Sequence, residues 1–340
     1  DLDDVLRTVL SPVRDQHLHF ALVGFPIPAS FGTDPYMIHW QGLRLPALAF
    51  GVHYRDGFRP GADGYWRQDR YQSFRDADPL GWLMARNWNA EQLGGRGSVH
   101  RSLRDSTIVM IGVGALGSAL AELLVRCGVQ RLILSAPAVV TEGNLVRHTL
   151  DLNSLELSKA AAVSDRLNML SPHADTVAIS EEFGNLSNHN MKTVQSADIV
   201  IDCTASDAVL RRIELLQEPA GAPVVSVSLG FGAKRAYIAT SPVDEFRHEW
   251  FQNRYAPWSR LDADEMSKVT LPTEAVGCWH PLFPARADDV WLMAGAALKE
   301  VERIAQGAPI APEFVVLSQK IESGVLVGFQ RTVQDVVETD

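Results

Sequence analysis

The chain has 340 residues, 46% hydrophobic and 21% charged, a balance that excludes a disordered or fibrous protein and leaves room for about two ordinary domains. A formal charge of −10 argues against nucleic acid as a partner, because nonspecific affinity for a phosphate backbone comes from Lys and Arg releasing counterions. No run approaches the roughly 18 consecutive apolar residues that a membrane span needs, and the acidic, amphipathic start DLDDVLRTVL does not read as a signal peptide, so no membrane association and a cytoplasmic location are expected.

The first 95 residues read as a small mixed α/β domain. HFALVGFPIPA and YMIHWQGLRLPALAF are strand-like apolar runs broken by proline, and an aromatic, Arg/Asp-rich loop follows around GYWRQDRYQSFRDADP. GWLMARNWNAEQL reads as helical, and the glycines of GGRGS at 94–98 as a hinge. The opening Asp, where Met would start a chain, points to a longer natural polypeptide.

Residues 96–340 form the second expected domain, in which strand and helix alternate as in a parallel sheet with covering helices. The expected strands are TIVMIGV, RLILS, TVAIS, ADIVIDC and PVVSVSL; SALAELLVRCG and SKAAAVSDRLNML are helices, the second stopped by Ser171 and Pro172. After residue 240 the alternation weakens into an acid- and aromatic-rich segment running to about 285. An amphipathic helix, ADDVWLMAGAALKEVERIAQG, then stops at Gly307, and VVLSQKIESGVLVGFQRTV closes the chain as two strands around a Ser-Gly turn. The fold class is α/β, with a mostly parallel sheet and flanking helices behind the smaller domain.

Gly112, Gly114 and Gly117 fit GxGxxG between a strand and a helix. Such glycines let backbone approach a phosphate and aim the unpaired N–H groups of the helix start at its charge; the plainer reading is a tight packing turn. A redox dinucleotide also needs a carboxylate about 20 residues on, at the end of the second strand, to hold the ribose. Here that strand ends Ser135-Ala136-Pro137-Ala138, with no acid before Glu142 and no Arg to serve a 2′-phosphate instead, which weakens the redox-dinucleotide reading. Downstream, Asn144, Arg147 and Lys159 add polar and cationic groups suited to a triphosphate. Each has a plainer reading: a helix cap for Asn144, a surface ion pair for Arg147 and a solvated helix residue for Lys159.

In its succession of GVGALGS, NLVRH, SKAAA with NMLSPHA, and DCTAS, the chain resembles the ThiF/MoeB superfamily of ATP-dependent activating enzymes, relatives of ubiquitin-activating enzyme, over about residues 100–285. The resemblance implies a Rossmann-like adenylating domain that binds ATP and Mg²⁺. Asn144 and Arg147 would contact phosphates or ribose, Lys159 would neutralise the α-phosphate, and Asp202 would hold Mg²⁺; a strand-end cap is the plain alternative for Asp202. Arg147, Lys159 and Asp202 are thus catalytic candidates. The chain departs from the family where Ala136 and Ala138 replace an acidic pair, and where Ala205 and Ser206, before Asp207, replace Asp-Asn. The resemblance also implies a homodimer, with Arg101 or Arg104 as candidates for an arginine reaching a neighbouring site.

Only Cys127, Cys203 and Cys278 occur, with no CxxC pair, so neither a disulfide framework nor a four-cysteine zinc site is supported. Cys127, late in a helix, and Cys203, at a strand end, read as structural. Cys278 sits in AVGCWHPLFP, with His280 close enough to help stabilise a thiolate. In the ubiquitin-activating branch such a thiol takes the acyl group as a thioester, and the family's catalytic-cysteine loop maps to about 240–285 here. The preceding domain, with GFPIP and IHWQGLRLP, resembles part of a bacterial fusion of a conjugating-enzyme domain with an activating enzyme, as found in antiphage CBASS operons. The partner implied is a protein with a free C-terminal carboxylate, such as a CBASS nucleotidyltransferase.

Overall fold

The computed structural model describes residues 20–44, 81–216, 221–271, 284–307 and 311–334. The chain divides into two compact units, Asp1–Asn89 and Ala90–Asp340. In the first, β1 (Phe20–Pro28), β2 (Pro35–Arg44) and β3 (Gly81–Trp82) form an antiparallel sheet in that order. The proline-bearing β1 lies at its edge, where only one side of the backbone enters the ladder and a missing N–H is tolerated. GWLMARNWNAEQL is not one helix. Gly81–Trp82 is strand, and the helix α1 covers only Ala90–Gly94, because the Arg-Asn-Trp-Asn stretch offers no sustained apolar stripe.

The second unit continues with α2 (Arg101–Arg104), β4 (Thr107–Ile111), α3 (Ala115–Arg126), β5 (Arg131–Ser135), α4 (Lys159–Leu170), β6 (Asp175–Ile179), α5 (Asn188–Gln195), β7 (Ile199–Asp202), α6 (Asp207–Glu214) and β8 (Pro223–Leu229). Then come β9 (Arg235–Pro242), α7 (His248–Ser267), α8 (Ala287–Ala305), β10 (Glu313–Glu322) and β11 (Val325–Gln334). The strands make one sheet in the order β11-β10-β9-β8-β7-β4-β5-β6; β8 through β6 are parallel and β9, β10 and β11 antiparallel. Successive strand residues point to opposite faces. Ile108 and Met110 enter a core under α3, α4 and α8, whereas Val109 and Ile111 enter a second core with Phe183, Val194, Leu210 and Phe251. The unbroken apolar runs of β4, β5 and β7 follow, since both faces of the sheet are covered. Ser323 and Gly324, both at positive φ, make the expected turn between β10 and β11.

The segment after residue 240 is more regular than its sequence suggests. It holds α7, twenty residues long with Pro257 inside. Proline disfavours a helix interior and the apolar stripe is weak, but Phe251, Trp250, Tyr255 and Trp258 pack this helix on the second core. Arg235 and Tyr237 of β9 anchor it through Asp262, with Arg235 Nη2 at 2.7 Å and the Tyr237 hydroxyl at 2.5 Å. No helix among the described residues is long and apolar enough to cross a membrane.

Candidate functional site

From β4 the chain order runs to β5 and β6 on one side and to β7 and β8 on the other, so the crevice beyond the carboxyl ends of β4 and β7 is a topological switch point, where open α/β sheets bind ligands. The glycine turn lies there. Gly112 has φ +84°, and a Cβ on it would stand 2.6 Å from the Thr204 methyl; a Cβ on Gly117 would stand 2.0 Å from the Gly112 carbonyl oxygen. These two glycines therefore let strand, helix and the β7 loop close on one another. Gly114 is different: it is the N-cap of α3, and a Cβ there would meet nothing within 4 Å. Its open side borders a cavity of about 260 Å³, lined by Gly114, Ala115, Asn144, Arg147, His148, Leu229, Ala285 and Val290.

The residues of NLVRH reach this cavity through a short 3-10 turn at Glu142–Asn144. Asn144 does cap that turn, its Oδ1 accepting from Thr141 N at 3.0 Å and Thr141 Oγ1 at 3.2 Å, and it lines the cavity as well. His148 is buried and held at both ring nitrogens: Nε2 lies 2.7 Å from the Val113 carbonyl oxygen, and Nδ1 accepts from Leu150 N at 3.3 Å. That pattern fits the neutral ring with its proton on Nε2, and burial holds the imidazole below its ordinary pKa. His148 thereby staples the Asn144–Arg147 segment to the glycine loop.

Lys159 opens α4, behind the N-cap Ser158, and its backbone N–H donates to the Ala138 carbonyl at 2.9 Å. Its ammonium is half-buried, has no hydrogen-bond or ion-pair partner among the described residues and lies near enough to His148 for its charge to oppose protonation of that ring. Burial lowers its pKa. Glu122, buried in α3, binds Arg126 at 2.8 Å and Arg166 of α4 at 3.0 Å, fixing the helix that carries Lys159 against the helix whose start faces the cavity. Two buried hydroxyls next to these segments, on Ser135 and Thr149, have no partner among the described residues.

Asp202 ends β7 with no solvent exposure. Its Oδ1 accepts from Thr204 N at 3.0 Å and Thr204 Oγ1 at 2.7 Å, and its Oδ2 from Ser226 Oγ at 2.9 Å. Burial raises its pKa, against the opposing pull of these bonds. It does not line the cavity, and no group of three or more His, Cys, Asp or Glu among the described residues is arranged to hold a metal ion. The residues present suit the phosphates of a nucleotide, through the open face of Gly114, Arg147 and Lys159, and the residues lining the cavity include no carboxylate to hold Mg²⁺.

Of the residues expected from sequence, Gly114, Asn144 and Arg147 come together at the cavity, Gly112 and Gly117 shape the turn behind it, Lys159 stands near His148 and Asp202 is sealed beneath. Cys278 and His280 lie outside the described residues. Burial raises the thiol pKa of both Cys127 and Cys203, so neither is an activated nucleophile. His148 was legible beside Arg147 in NLVRH. Leu229, Ala285 and Val290 come from distant parts of the chain and carry no local signal.

A protein-family profile for the ThiF family matches residues 84–239, and one described as the Cap2 central linker domain matches residues 1–88. Over 302 residues the chain is 33% identical to the ATP-dependent ubiquitin transferase-like protein Cap2 of Enterobacter hormaechei subsp. hoffmannii, covering 88% of this chain and 50% of that protein. It is 29% identical over 159 residues to the sulfur carrier protein ThiS adenylyltransferase of Escherichia coli, covering 45% of this chain and 62% of that protein. It is 30% identical over 159 residues to ubiquitin-like modifier-activating enzyme 5 of Mus musculus, covering 43% and 38% of the two chains. The chain thus spans 50% of the Enterobacter protein's length, and less than two thirds of the others.

Proposed function

From a chain that carries a ThiF-family domain behind a Cap2 central linker domain, we propose an enzyme that uses ATP to adenylate the C-terminal carboxylate of a protein partner. The observation that carries this reading is the cavity at the start of α3, where Gly114, Asn144 and Arg147 converge near Lys159, whose ammonium has no partner among the described residues. The phosphates of ATP lie against the N–H groups of the helix start, and the two cations offset charge that grows as the partner's carboxylate attacks the α-phosphorus and pyrophosphate leaves. The product is an acyl-adenylate. The Cys278 thiolate then attacks its carbonyl carbon, AMP departs, and a thioester remains for transfer by a conjugating-enzyme domain. The reading places the enzyme in CBASS antiphage defence, with a CBASS nucleotidyltransferase as the protein partner and a homodimer as the working assembly; the likeness to Cap2 supports its activating-enzyme part. Mg²⁺ would arrive on the phosphates of the ATP and offset their charge there, with no carboxylate of the cavity lining to hold it.

The test is recovery of covalent adducts with ATP from the native host. Wild-type protein should yield a partner linked by a reducible bond; Cys278→Ala should lose that adduct yet retain ATP–pyrophosphate exchange, and an unchanged adduct would remove Cys278 from the scheme. Ala136 and Ala138, where the strand end carries no carboxylate for a ribose, favour a second reading, an adenylation-fold scaffold that binds a partner without turnover. Absence of pyrophosphate exchange with the correct partner would select it.

A further inference from the structure

We infer that Asp202 is a positioning residue, a buried clamp that presses the Thr204 turn against the glycine turn, and that it is not a ligand of magnesium. The inference rests on the nucleotide-site reading above and assigns this carboxylate a different task within it.

A magnesium carboxylate has to present an oxygen to a cation that keeps several waters and binds phosphate, which requires an open path to the cavity. Asp202 has none. It is fully buried, and its oxygens already accept three hydrogen bonds, two from Thr204 and one from Ser226. The bonds to Thr204 form a tight side-chain turn, and Thr204 Oγ1 extends it by accepting from Ser206 N at 3.2 Å. Ala205, between them, sits at φ +52°, a left-handed conformation that a residue with a Cβ holds only when its surroundings impose it.

What the turn achieves is visible at its other face. The Thr204 methyl lies so close to Gly112 that a Cβ on that glycine would stand 2.6 Å from it, and the Cys203 N–H donates to the Ile111 carbonyl at 2.7 Å, continuing the β4–β7 ladder into the loop. Gly112 in turn touches Gly117 of α3 through its carbonyl. A continuous set of contacts therefore runs from Asp202 through Thr204 and Gly112 to the first turn of the helix whose N-cap, Gly114, lines the cavity. Remove the carboxylate and the turn loses the acceptor that defines it; the helix start then loses its fixed place against the phosphates.

The two roles separate in Asp202→Asn. The amide keeps Oδ1 for both Thr204 donors, and its NH₂ meets the Ser226 hydroxyl, which can rotate to accept. Calorimetric titration with ATP, in magnesium and in EDTA, should give Asp202→Asn affinities within about threefold of wild type in both media, whereas Asp202→Ala and Thr204→Val should lose about ten- to hundredfold in both. A ligand role predicts the opposite split: Asp202→Asn would match wild type in EDTA and lose the gain from magnesium, and that result overturns the inference. If Asp202→Asn does not fold, Thr204→Val decides, since wild-type affinity in that variant would show that the clamp does not act on the site. Hydrogen exchange at residues 112–117 gives a readout that needs no nucleotide. Faster exchange in Asp202→Ala than in wild type supports the clamp, and equal rates sink it. Failure of the wild type to bind ATP at all would instead remove the nucleotide-site reading, leaving the exchange result to stand or fall separately.

Discussion

Gly114 and Gly117, three residues apart, should respond in opposite ways to the same added methyl. A Cβ at position 117 would lie 2.0 Å from the Gly112 carbonyl oxygen and 3.2 Å from Cys203 Cβ, and no rotamer change can move a backbone carbonyl aside. Overpacking of this kind costs about 3 kcal/mol, and the better helix propensity of alanine returns about 1 kcal/mol, leaving a net loss of about 2 kcal/mol. For a unit of this size that lowers Tm by about 4–8 °C. At position 114 a Cβ meets nothing within 4 Å and φ is −71°, so Gly114→Ala should lose no more than about 1 kcal/mol through its poorer N-cap. Its methyl nevertheless projects where phosphate must approach, and ATP affinity should fall about tenfold or more, equivalent to about 1.4 kcal/mol. Scanning calorimetry without nucleotide and titration with ATP measure the two effects. Melting of Gly117→Ala with the wild type, or binding of ATP by Gly114→Ala as tight as the wild type's, would refute these assignments.

Arg147→Ala and Lys159→Ala should each weaken ATP binding by about ten- to hundredfold, the worth of one charged hydrogen bond, and Lys159→Ala should do so with little change in Tm; wild-type binding in both variants would exclude phosphate contact. His148 titrates below its ordinary 6.5 in the folded chain because of burial, so the unfolded state takes up protons first. The stability it supports is complete above pH 6.5 and falls as pH drops below that value, a slope that His148→Gln should flatten in denaturant titrations across this range. Asp262→Ala leaves the Tyr237 hydroxyl without its acceptor and strips Arg235 of one of its two carboxylates, the other being Glu265. Breaking a fully buried pair costs about 3–5 kcal/mol; this one is partly buried and Arg235 keeps Glu265, so a loss of about 2–3 kcal/mol is expected in chemical unfolding.

How far the sequence could be read depended on where each signal is stored. The strands around the glycine turn announce themselves because both faces of the sheet are buried, which forces unbroken apolar runs such as Thr107–Ile111. The turn is equally plain, since Gly112 and Gly117 are demanded by close approach within a few residues of each other. Helix α7 is hidden for the converse reason: Pro257 contradicts it locally, and the aromatic residues that hold it make sense only once Tyr237 and Phe314 of β9 and β10 are beside them. Asp202 is the sharper case. A carboxylate at a strand end looks the same in sequence whether it faces a cation or turns back upon its own loop. What decides between these is the pairing of Asp202 with Ser226 on β8, which brings a hydroxyl to the oxygen that Thr204 leaves over. With that donor in place the carboxylate is satisfied inside the protein. The acid at this motif position therefore names a chemistry the site can use, while its neighbour on the adjoining strand determines whether the site uses it for binding or for shape.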